Sequence, residues 1–372
     1  MSTFGLFVVC TPGVEALVVA ELARLGIAAT PDVGGARATV PIEGLARIHT
    51  EARLPAQVLV RVGRCKASSL DALAAGVRSM AWHRFVVPRQ PIEVDVALRG
   101  AKLPTKGAVD KKVAHAIADA LRGPRLIGGR PPREPLRVLV RVEGDRAELS
   151  VDASGEPLHR RGWRKATAKA PIRENLAAAV LQAASWSPDE PLVDLMCGSG
   201  TFAIEAARVA AGMPVTLRRT FAFERWPCVK QGEVWRGSVG GGGAASIYAS
   251  DDMDGALKAA ESNAARAGVA GQIRFVKGDA RQLGPPPGRP GLIVMNPPWG
   301  GRIERGGGAQ VDALYAQVGA NLRSAWAGWR LALVVPRSED AARIHRGLKS
   351  ELKLRSGGLP IVIAVGRLPS DP

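Results

Sequence analysis

The feature that most constrains the fold is the regular alternation of strand-like and helix-like segments after about residue 171 of this 372-residue chain. Short apolar runs alternate with longer stretches in which apolar side chains recur at helical spacing. The expected strands are Pro191–Leu195, Ser246–Ser250, Gln272–Val276, Gly291–Met295 and Trp329–Val335, and the expected helices are Pro171–Ala184, Thr201–Ala211, Met253–Ala267 and Ala309–Ala325. Repeated strand–helix units predict a doubly wound α/β domain, with a parallel sheet covered by helices on both faces.

The N-terminal part of the chain has a different pattern, typical of an α+β module. We expect Thr11 and Pro12 to start a helix after the first strand, and Gly26 to end it. Glu143-Gly-Asp145 between two alternating apolar segments predicts a hairpin, and a basic helix precedes it. The expected strands are Phe4–Cys10, Ala36–Val40, Val58–Val62, Ile92–Leu98, Leu136–Val142 and Arg146–Val151, and loops are expected at Arg122–Pro135 and Gly240–Gly243.

The positive charge is unevenly distributed. The formal net charge is +17, and the segment Arg99–Lys169 alone contains 17 Lys and Arg against 8 Asp and Glu. An arginine-rich genome would spread cations evenly, whereas clustering favours a polyanionic partner such as RNA. No apolar run is long enough to cross a bilayer, and the four cysteines are scattered without a CxxC pair. These observations predict a cytoplasmic protein that has neither a zinc site nor a membrane anchor.

The first of four polar motifs is Asp194-Leu-Met-Cys-Gly-Ser-Gly-Thr201, which joins a predicted strand to a predicted helix. Gly198 and Gly200 permit a tight turn and a close approach of the backbone to a ligand. No lysine follows, so the motif is not a phosphate loop. An acid before such a turn suits a ligand with a cationic amino group, and Asp194 would then face the methionyl end of S-adenosylmethionine. A simple strand–helix turn is the alternative.

Two further acidic motifs follow the next two predicted strands. Ser250-Asp-Asp252 offers a carboxylate to the hydroxyls of a ribose, and we favour Asp251 over Asp252 for this role. Gly278-Asp-Ala280 places Asp279 where it could accept a hydrogen bond from an adenine amino group. Each motif alone is weak evidence, but parallel strands bring their carboxyl ends to one edge, so their position after successive strands predicts a nucleoside site.

The fourth motif, Asn296-Pro-Pro-Trp299, is the most specific. Two prolines stiffen the backbone, so that the side-chain carbonyl of Asn296 and the carbonyl of Pro297 can act as paired acceptors for a planar amine. Trp299 would stack on the base that carries this amine. Methyl transfer to such a nitrogen depends on positioning, which can supply about 7–11 kcal/mol of a barrier, and needs no nucleophilic side chain.

At these motifs the chain resembles bacterial THUMP-domain RNA methyltransferases, in particular the large-subunit ribosomal RNA guanine-N2 methyltransferases. The resemblance covers nearly the whole chain. Besides the glycine motif and Asn296-Pro-Pro-Trp299, it is carried by Thr11-Pro-Gly-Val-Glu15, Lys111-Lys-Val-Ala-His-Ala-Ile117, Leu158-His-Arg-Arg-Gly-Trp-Arg164, Ala170-Pro-Ile-Arg-Glu-Asn-Leu-Ala177 and Phe223-Glu-Arg-Trp226. The chain departs from the family pattern at Leu195, Trp299 and Asp252, where proline, tyrosine and an aliphatic residue are more frequent.

The resemblance implies a ferredoxin-like element at residues 1–57, a THUMP RNA-binding domain at 58–157 and a Rossmann-like methyltransferase domain at 158–372. It implies S-adenosyl-L-methionine as cofactor, no metal, and a structured RNA as partner. The implied catalytic residues are Asn296, Pro297, Pro298 and Trp299. The implied cofactor-binding residues are Pro171, Glu174, Asp194, Met196, Cys197, Gly198, Gly200, Thr201, Asp251, Asp252, Asp279, Ala280 and Asn296.

The most specific hypothesis is therefore transfer of a methyl group to the exocyclic N2 of a guanine in 23S ribosomal RNA. Transfer RNA is an alternative substrate, because related THUMP enzymes act on it. An Asn-Pro-Pro-aromatic loop also serves adenine amines in DNA and glutamine amides in proteins. A non-catalytic RNA-binding assembly factor with a decayed methyltransferase domain is the alternative from another class.

Overall fold

The computed structural model describes residues 3–87, 89–121, 134–165, 172–216, 219–230, 245–299, 308–356 and 358–370. The described strands form two seven-stranded sheets, one from each part of the chain. Most of the loop expected at Arg122–Pro135, namely residues 122–133, lies outside the described residues. The expected loop Gly240–Gly243 and the expected site residue Pro171 also lie outside them. None of the described helices combines the length and apolar composition needed to cross a bilayer.

The first sheet joins the N-terminal segment of the chain to the segment that follows it. Its elements are β1 (Phe4–Val9), α1 (Glu15–Arg24), β2 (Ala29–Asp32), β3 (Gly35–Val40), α2 (Ile42–Glu51), β4 (Gln57–Lys66), α3 (Leu70–Arg78), β5 (Ile92–Arg99), α4 (Lys106–Ala120), β6 (Leu136–Glu143) and β7 (Arg146–Asp152). The strand order is β2-β3-β1-β4-β7-β6-β5, and the β5–β6 pair is parallel. Because β4 pairs with β1 on one side and β7 on the other, the sheet is continuous across both units.

The expected strands are confirmed, but the predicted start of the first helix is wrong. α1 begins at Glu15 rather than at Pro12, and Thr11 does not cap it. Thr11, Pro12 and Gly13 form a turn in which the carbonyl of Thr11 accepts from the amide of Val14, and Gly13 has a φ of 103°. The Glu15 carboxylate accepts from the Gly13 amide at 2.8 Å, which fixes the turn ahead of the helix.

The second sheet is the doubly wound unit. Its elements are α5 (Glu174–Ala183), β8 (Leu192–Asp194), α6 (Thr201–Ala210), β9 (Ile247–Asp251), α7 (Asp254–Ala267), β10 (Ile273–Lys277), β11 (Leu292–Met295), α8 (Gly308–Ala325), β12 (Arg330–Val335), α9 (Ser338–Ile344), β13 (Leu348–Ser356) and β14 (Leu359–Arg367). The order β10-β9-β8-β11-β12-β14-β13 is parallel over the first five strands. The sheet is nevertheless mixed, because β14 runs antiparallel to both β12 and β13.

Apolar side chains cover both faces of this sheet, as the alternation of elements predicts. Leu292 and Val294 of β11 pack into a core with residues of α5, α6 and α7. Ile293 and Met295, the alternate residues of the same strand, pack into a second core with residues of α8 and α9. Successive side chains of a strand point to opposite faces, so helices lie on both sides of the sheet.

A buried cluster of charges connects the two sheets. Glu205 of α6 is fully buried and forms ion pairs with Arg53 at 3.2 Å and with Arg161 at 3.4 Å. Arg53 follows α2 in the first unit, and Arg161 lies in the segment between β7 and α5. A second carboxylate, Glu21 of α1, accepts from the backbone amides of Arg53 and Leu54. The two ion pairs of Glu205 therefore fix the first unit and the connecting segment against α6, which begins at the turn formed by residues 194–201, the glycine turn.

The buried imidazole of His49 makes the stability of the first unit sensitive to pH. Its Nδ1 contacts the Leu45 carbonyl at 2.8 Å, and its Nε2 contacts the Ser154 hydroxyl at 3.1 Å. Burial lowers the pKa of His49 to about 3, because desolvation penalises the imidazolium. The unfolded chain therefore binds this proton at a higher pH than the folded chain does.

We expect the free energy of unfolding to fall as pH drops from about 6.5 toward about 3, with His49 contributing up to ~1.4 kcal/mol per pH unit. Denaturant titrations of the wild type and His49→Gln at about pH 7 and about pH 5 test this. The variant keeps every other titrating group. Any difference between wild type and variant in how the free energy of unfolding changes from about pH 7 to about pH 5 is therefore due to His49. Equal changes in the two proteins would contradict the prediction.

Candidate active site at the strand ends of the second sheet

The four polar motifs meet at one edge of the second sheet. β10, β9, β8 and β11 are consecutive neighbours and parallel, so their carboxyl ends lie side by side. Asp251 ends β9 and Asp194 ends β8, while Asp279 and Asn296 closely follow β10 and β11. The expected co-location of the motifs is confirmed.

Glycine is required at two positions of the first motif, and the structural requirement differs between them. Both have positive φ, 53° at Gly198 and 83° at Gly200, which favours residues without a β-carbon. A β-carbon on Gly200 would lie 3.0 Å from the β-carbon of Ala260 in α7. Gly200 therefore lets α7 pack against the turn, whereas the sequence reading assigned it to the approach of a ligand. The amide of Gly198 donates to Asp251 at 2.9 Å.

Asp194 lies inside the glycine turn rather than on its surface. The residue is fully buried, and neither carboxylate oxygen has a hydrogen-bonding partner among the described residues. Burial raises the pKa of Asp194 well above its ordinary value, and the charge of Asp251 raises it further, while the nearby amides of Ala203 and Met196 partly offset this effect. A buried acid whose pKa is raised further by a neighbouring carboxylate favours a cationic ligand at this turn.

Asp251 is the better placed of the two acids that end β9. Its Oδ2 accepts from Gly198, and its Oδ1 accepts from the amide of Met253 at 3.0 Å. Asp251 is half-buried, and burial together with the neighbouring Asp252 raises its pKa. Asp252 is exposed. The structure thus connects Asp251 to the glycine turn through the Gly198 amide. Binding of a ribose by Asp251 remains a prediction.

Asp279 is paired with a cation that the sequence reading did not consider. Arg281 donates to both oxygens of the Asp279 carboxylate through its guanidinium, and its own amide donates to Oδ1 at 2.8 Å. The Arg281 guanidinium lowers the pKa of Asp279. The pair is partly exposed. An adenine amine would share this carboxylate with Arg281. Ala280 beside it is buried, and its carbonyl accepts from Asn321.

Arg164 is the main site residue that sequence reasoning missed. Its Nε pairs with Glu174 at 2.9 Å, its Nη1 donates to Ser199 at 3.2 Å, and its Nη2 donates to Thr201 at 2.9 Å and to the carbonyl of Ile172. One guanidinium therefore links the start of α5 to the glycine turn and to the first residue of α6. Glu174 and Thr201, both expected to bind the cofactor, are buried partners of Arg164.

The Asn296-Pro-Pro-Trp299 elbow is braced from two sides. The indole N–H of Trp299 donates to the Asn296 side-chain carbonyl at 3.1 Å, so this oxygen is already engaged once. The hydroxyl of Tyr315 in α8 donates to the Pro298 carbonyl at 3.0 Å. Tyr315 is almost fully buried, and burial raises its pKa, which keeps the hydroxyl protonated and able to donate. Pro297 is buried, Pro298 is exposed, and Asn296 and Trp299 are half-buried.

The remaining expected residues are ordinary parts of the turn. Cys197 is buried, and burial with the charges of Asp194 and Asp251 raises the pKa of its thiol well above the usual range, so it is no nucleophile. Met196 is half-buried against the core shared with α8 and α9. The described residues contain no cluster of three or more histidine, cysteine or acidic side chains arranged to hold a metal ion.

Comparison with known proteins places this site in a family. A family model described as "RMKL-like, methyltransferase domain" matches residues 161–357, and one described as "RlmL ferredoxin-like domain" matches residues 5–59. The chain belongs to the RMKL-like methyltransferase family. Its cofactor is S-adenosylmethionine, and the buried, unpartnered carboxylate of Asp194 beside Asp251 fits the two positive charges of that molecule.

The relatives of this methyltransferase include larger proteins. Ribosomal RNA large subunit methyltransferase K/L of Syntrophotalea carbinolica is 33% identical over 376 residues, which cover 95% of this chain and 52% of that protein. The protein of the same name from Methylococcus capsulatus is 34% identical and is covered over 48% of its length. The chain thus spans about half the length of these two relatives.

A solved structure matches the chain over nearly its full extent. It is described as a predicted N6-adenine-specific DNA methylase from Listeria monocytogenes and is 26% identical, with a TM-score of 0.88. The match covers 99% of this chain and 97% of that one. Both the RMKL-like methyltransferase domain and the N-terminal ferredoxin-like unit therefore have a counterpart of the same overall arrangement.

Arg164→Gln should lower the affinity for S-adenosylmethionine about tenfold, equivalent to ~1.4 kcal/mol, because the glycine turn loses its tie to α5. Calorimetric titration with S-adenosylmethionine measures this. Arg160→Gln is the control, since Arg160 pairs with the exposed Glu156 and has no bond to the turn. Equal affinities of the two variants would show that Arg164 does not shape the donor site.

Tyr315→Phe removes the hydroxyl that holds the Pro298 carbonyl, and we expect the rate of methyl transfer to fall about tenfold. Stability should fall by only ~1 kcal/mol, the usual contribution of one hydrogen bond. Tyr248→Phe, at the chain's other tyrosine, is the matched control. Single-turnover kinetics at saturating cofactor give the rate, and a rate equal to that of Tyr248→Phe would contradict the bracing role.

Proposed function

We propose that this methyltransferase transfers a methyl group from S-adenosylmethionine to the exocyclic N2 of a guanine in 23S ribosomal RNA. The observation that carries the proposal is the braced Asn296-Pro-Pro-Trp299 elbow beside the paired acids Asp194 and Asp251. The relatives named ribosomal RNA large subunit methyltransferase K/L support the choice of RNA and of the large subunit. The choice of the N2 of guanine rests on the family resemblance of the motifs.

On the donor side, the acids of the site would hold the cofactor at its polar groups. S-adenosylmethionine supplies an electrophilic methyl group on a positively charged sulfur. Asp194 and Asp251 would lower the free energy of a cation at the glycine turn, because burial destabilises both carboxylates and the charge of Asp251 destabilises that of Asp194 further. Asp251 would also accept from the ribose hydroxyls, and Asp279 from the adenine amino group. Arg164 would keep the turn in place.

On the acceptor side, the elbow would orient the guanine amine. The Asn296 side-chain oxygen has two lone pairs, of which the Trp299 indole N–H uses one, so the other can accept from the amine. The Pro297 carbonyl would be the second acceptor. The nitrogen would become positive as it bonds to the methyl group, because the methyl–sulfur bond breaks with its electron pair and leaves a neutral thioether. These two oxygens would stabilise the positive charge until a proton leaves to water. Trp299 would stack on the base.

The first unit would bring the RNA to this site. We propose that residues 58–157 form a THUMP RNA-binding domain between the ferredoxin-like element at 1–57 and the catalytic domain at 158–372. Lys106 and Lys111 of α4, and Lys102 before it, are exposed and form no ion pair within the described residues. Exposed, unpaired lysines are available to phosphates, which position an RNA without reading its sequence.

Methylation of adenine in DNA is the second candidate, and it is favoured by the description of the Listeria monocytogenes structure. An adenine N6 amine is planar like the guanine N2 amine, so the elbow could hold either. The product nucleoside distinguishes the two candidates directly.

The test uses tritiated S-adenosylmethionine with ribosomal RNA from a strain that lacks this gene. We expect the label in N2-methylguanosine, and Asn296→Ala should reduce the rate at least ~100-fold, because one of two charge-stabilising oxygens is lost. Calorimetric titration of the variant with S-adenosylmethionine distinguishes a loss of cofactor binding from a loss of methyl transfer. Label in N6-methyladenosine, or a preference for duplex DNA over folded RNA, would reject the guanine proposal.

A further inference from the structure

A cleft of about 1010 Å³ opens beside the donor site, between the first sheet and the catalytic unit. One wall comes from the start of β6 and the residues after β7, and the other from the start of α5 and residues 219–226. Residues 159–164 of the connecting segment form part of the lining. None of the strand-end motifs contributes to it. Its volume is at the upper end of the range for ligand pockets.

Positive charge dominates the lining. Seven arginines and four carboxylates face the cleft, which leaves a surplus of three positive charges. Arg173, the residue before α5, is exposed, and its guanidinium has no hydrogen bond or ion pair within the described ranges. The pair of Arg160 with Glu156 is largely exposed, and such a pair contributes at most about 1 kcal/mol. These guanidinium groups can therefore turn to a phosphate at little cost.

The cleft also contains polar atoms that have no partner within the described part of the chain. Oδ2 of Asp152, Nδ1 of His159 and Nε1 of Trp226 are all buried in its wall without a hydrogen bond. Asp152 and Trp226 are almost completely buried residues. An unsatisfied buried polar atom costs about 1–3 kcal/mol, so three of them around one cleft indicate a site built for a polar ligand.

His159 adds a neutral group rather than another cation. Burial, together with the charges of Arg173, Arg161, Arg160 and Arg164, lowers its pKa to about 4. At neutral pH its imidazole can therefore donate or accept a hydrogen bond. Asp152 offers an acceptor and Trp226 a donor, so the cleft lining has the mixed polarity that complements a nucleobase edge. The guanidinium groups supply the positive charge that a phosphodiester needs.

We propose that this cleft is a second RNA-binding site, in which an unpaired nucleotide places its base edge against Asp152, His159 and Trp226 and its phosphate on Arg173. A base within a duplex has its pairing edge occupied, so only an unpaired base can satisfy these atoms. The inference rests on the proposed function for its choice of RNA. It adds a site, separate from the methyl-accepting elbow, that holds a neighbouring part of the same strand.

Arg164 connects this site to the donor site. It lines the cleft, and it also bonds to Ser199 and Thr201 of the glycine turn. Glu174, its partner, lines the cleft as well. An RNA strand seated in the cleft would thus lie against the same side chains that fix the turn, and it would approach the elbow from one defined direction.

The experiment measures binding of a fluorescein-labelled oligouridylate of about eight nucleotides to the full chain by anisotropy. Arg173→Glu should weaken binding about tenfold and reduce the salt dependence by about one phosphate contact. Asp152→Asn should also weaken it about tenfold, because a donor replaces the acceptor at Oδ2 while the bond to the Ser154 amide remains. Arg24→Glu, with the same charge change at an exposed residue of α1, is the matched control and should change binding less than about twofold.

The results have separate meanings. Binding by Arg173→Glu and Asp152→Asn equal to that by Arg24→Glu would overturn the proposal, as would equal affinity for a duplex RNA of the same length. Displacement of the oligomer by inorganic phosphate as effective as that by unlabelled oligouridylate would reduce the cleft to an anion site and overturn the nucleotide assignment. A wild type that binds through Arg173 yet methylates no guanine would support the cleft while rejecting the proposed function. Full methylation by Arg173→Glu with unchanged oligouridylate binding would support the proposed function while rejecting the cleft as an RNA-binding site.

Discussion

The buried carboxylate of Glu205 fixes the first unit and the connecting segment against the catalytic unit. A charge removed from water must be paired, and both partners of Glu205 come from outside its own helix: Arg53 from the first unit and Arg161 from the connecting segment. Loss of one partner from a buried pair costs about 3–5 kcal/mol, so a misplaced first unit would leave the carboxylate uncompensated. α6 begins at Thr201 in the glycine turn, and the same pairing therefore orients the first unit relative to the donor site.

Much of the fold could be predicted because its signals are local. The central parallel strands are continuous apolar runs, and each is followed by a polar motif, so their order and common edge followed from the sequence. α2 was missed because it starts after Pro41 without a capping side chain. The antiparallel strands β13 and β14 were missed because their pairing, not their composition, places them at the end of the sheet. The start of α1 was misread because a turn formed by Thr11, Pro12 and Gly13 has the same residues as a helix cap.

The sequence was sufficient to predict which acidic and aromatic residues form the site, but not which side chains hold them in place. The acids and the Asn296-Pro-Pro-Trp299 elbow were recognisable by residue type and position. Arg164 was not, because its partners Ser199 and Thr201 are distant in sequence and its role exists only once α5 and α6 are packed. Tyr315 is similar: it looks like a core residue of a helix until its hydroxyl is seen to reach a carbonyl of the elbow. Such supporting residues depend on tertiary structure, whereas acids at strand ends depend on topology.

The continuity of the first sheet has a consequence for how this architecture can be divided or recombined. A cut near residue 57 would fall where β4 begins, and it would strip β4 of its pairing with β1 over Gln57–Val60. The exposed edge would present unpaired amides and carbonyls to any other extended chain, a well-known route to aggregation. A fragment that contains the N-terminal strands should therefore also contain β4 and β7, so that the sheet keeps its pairing across residue 57.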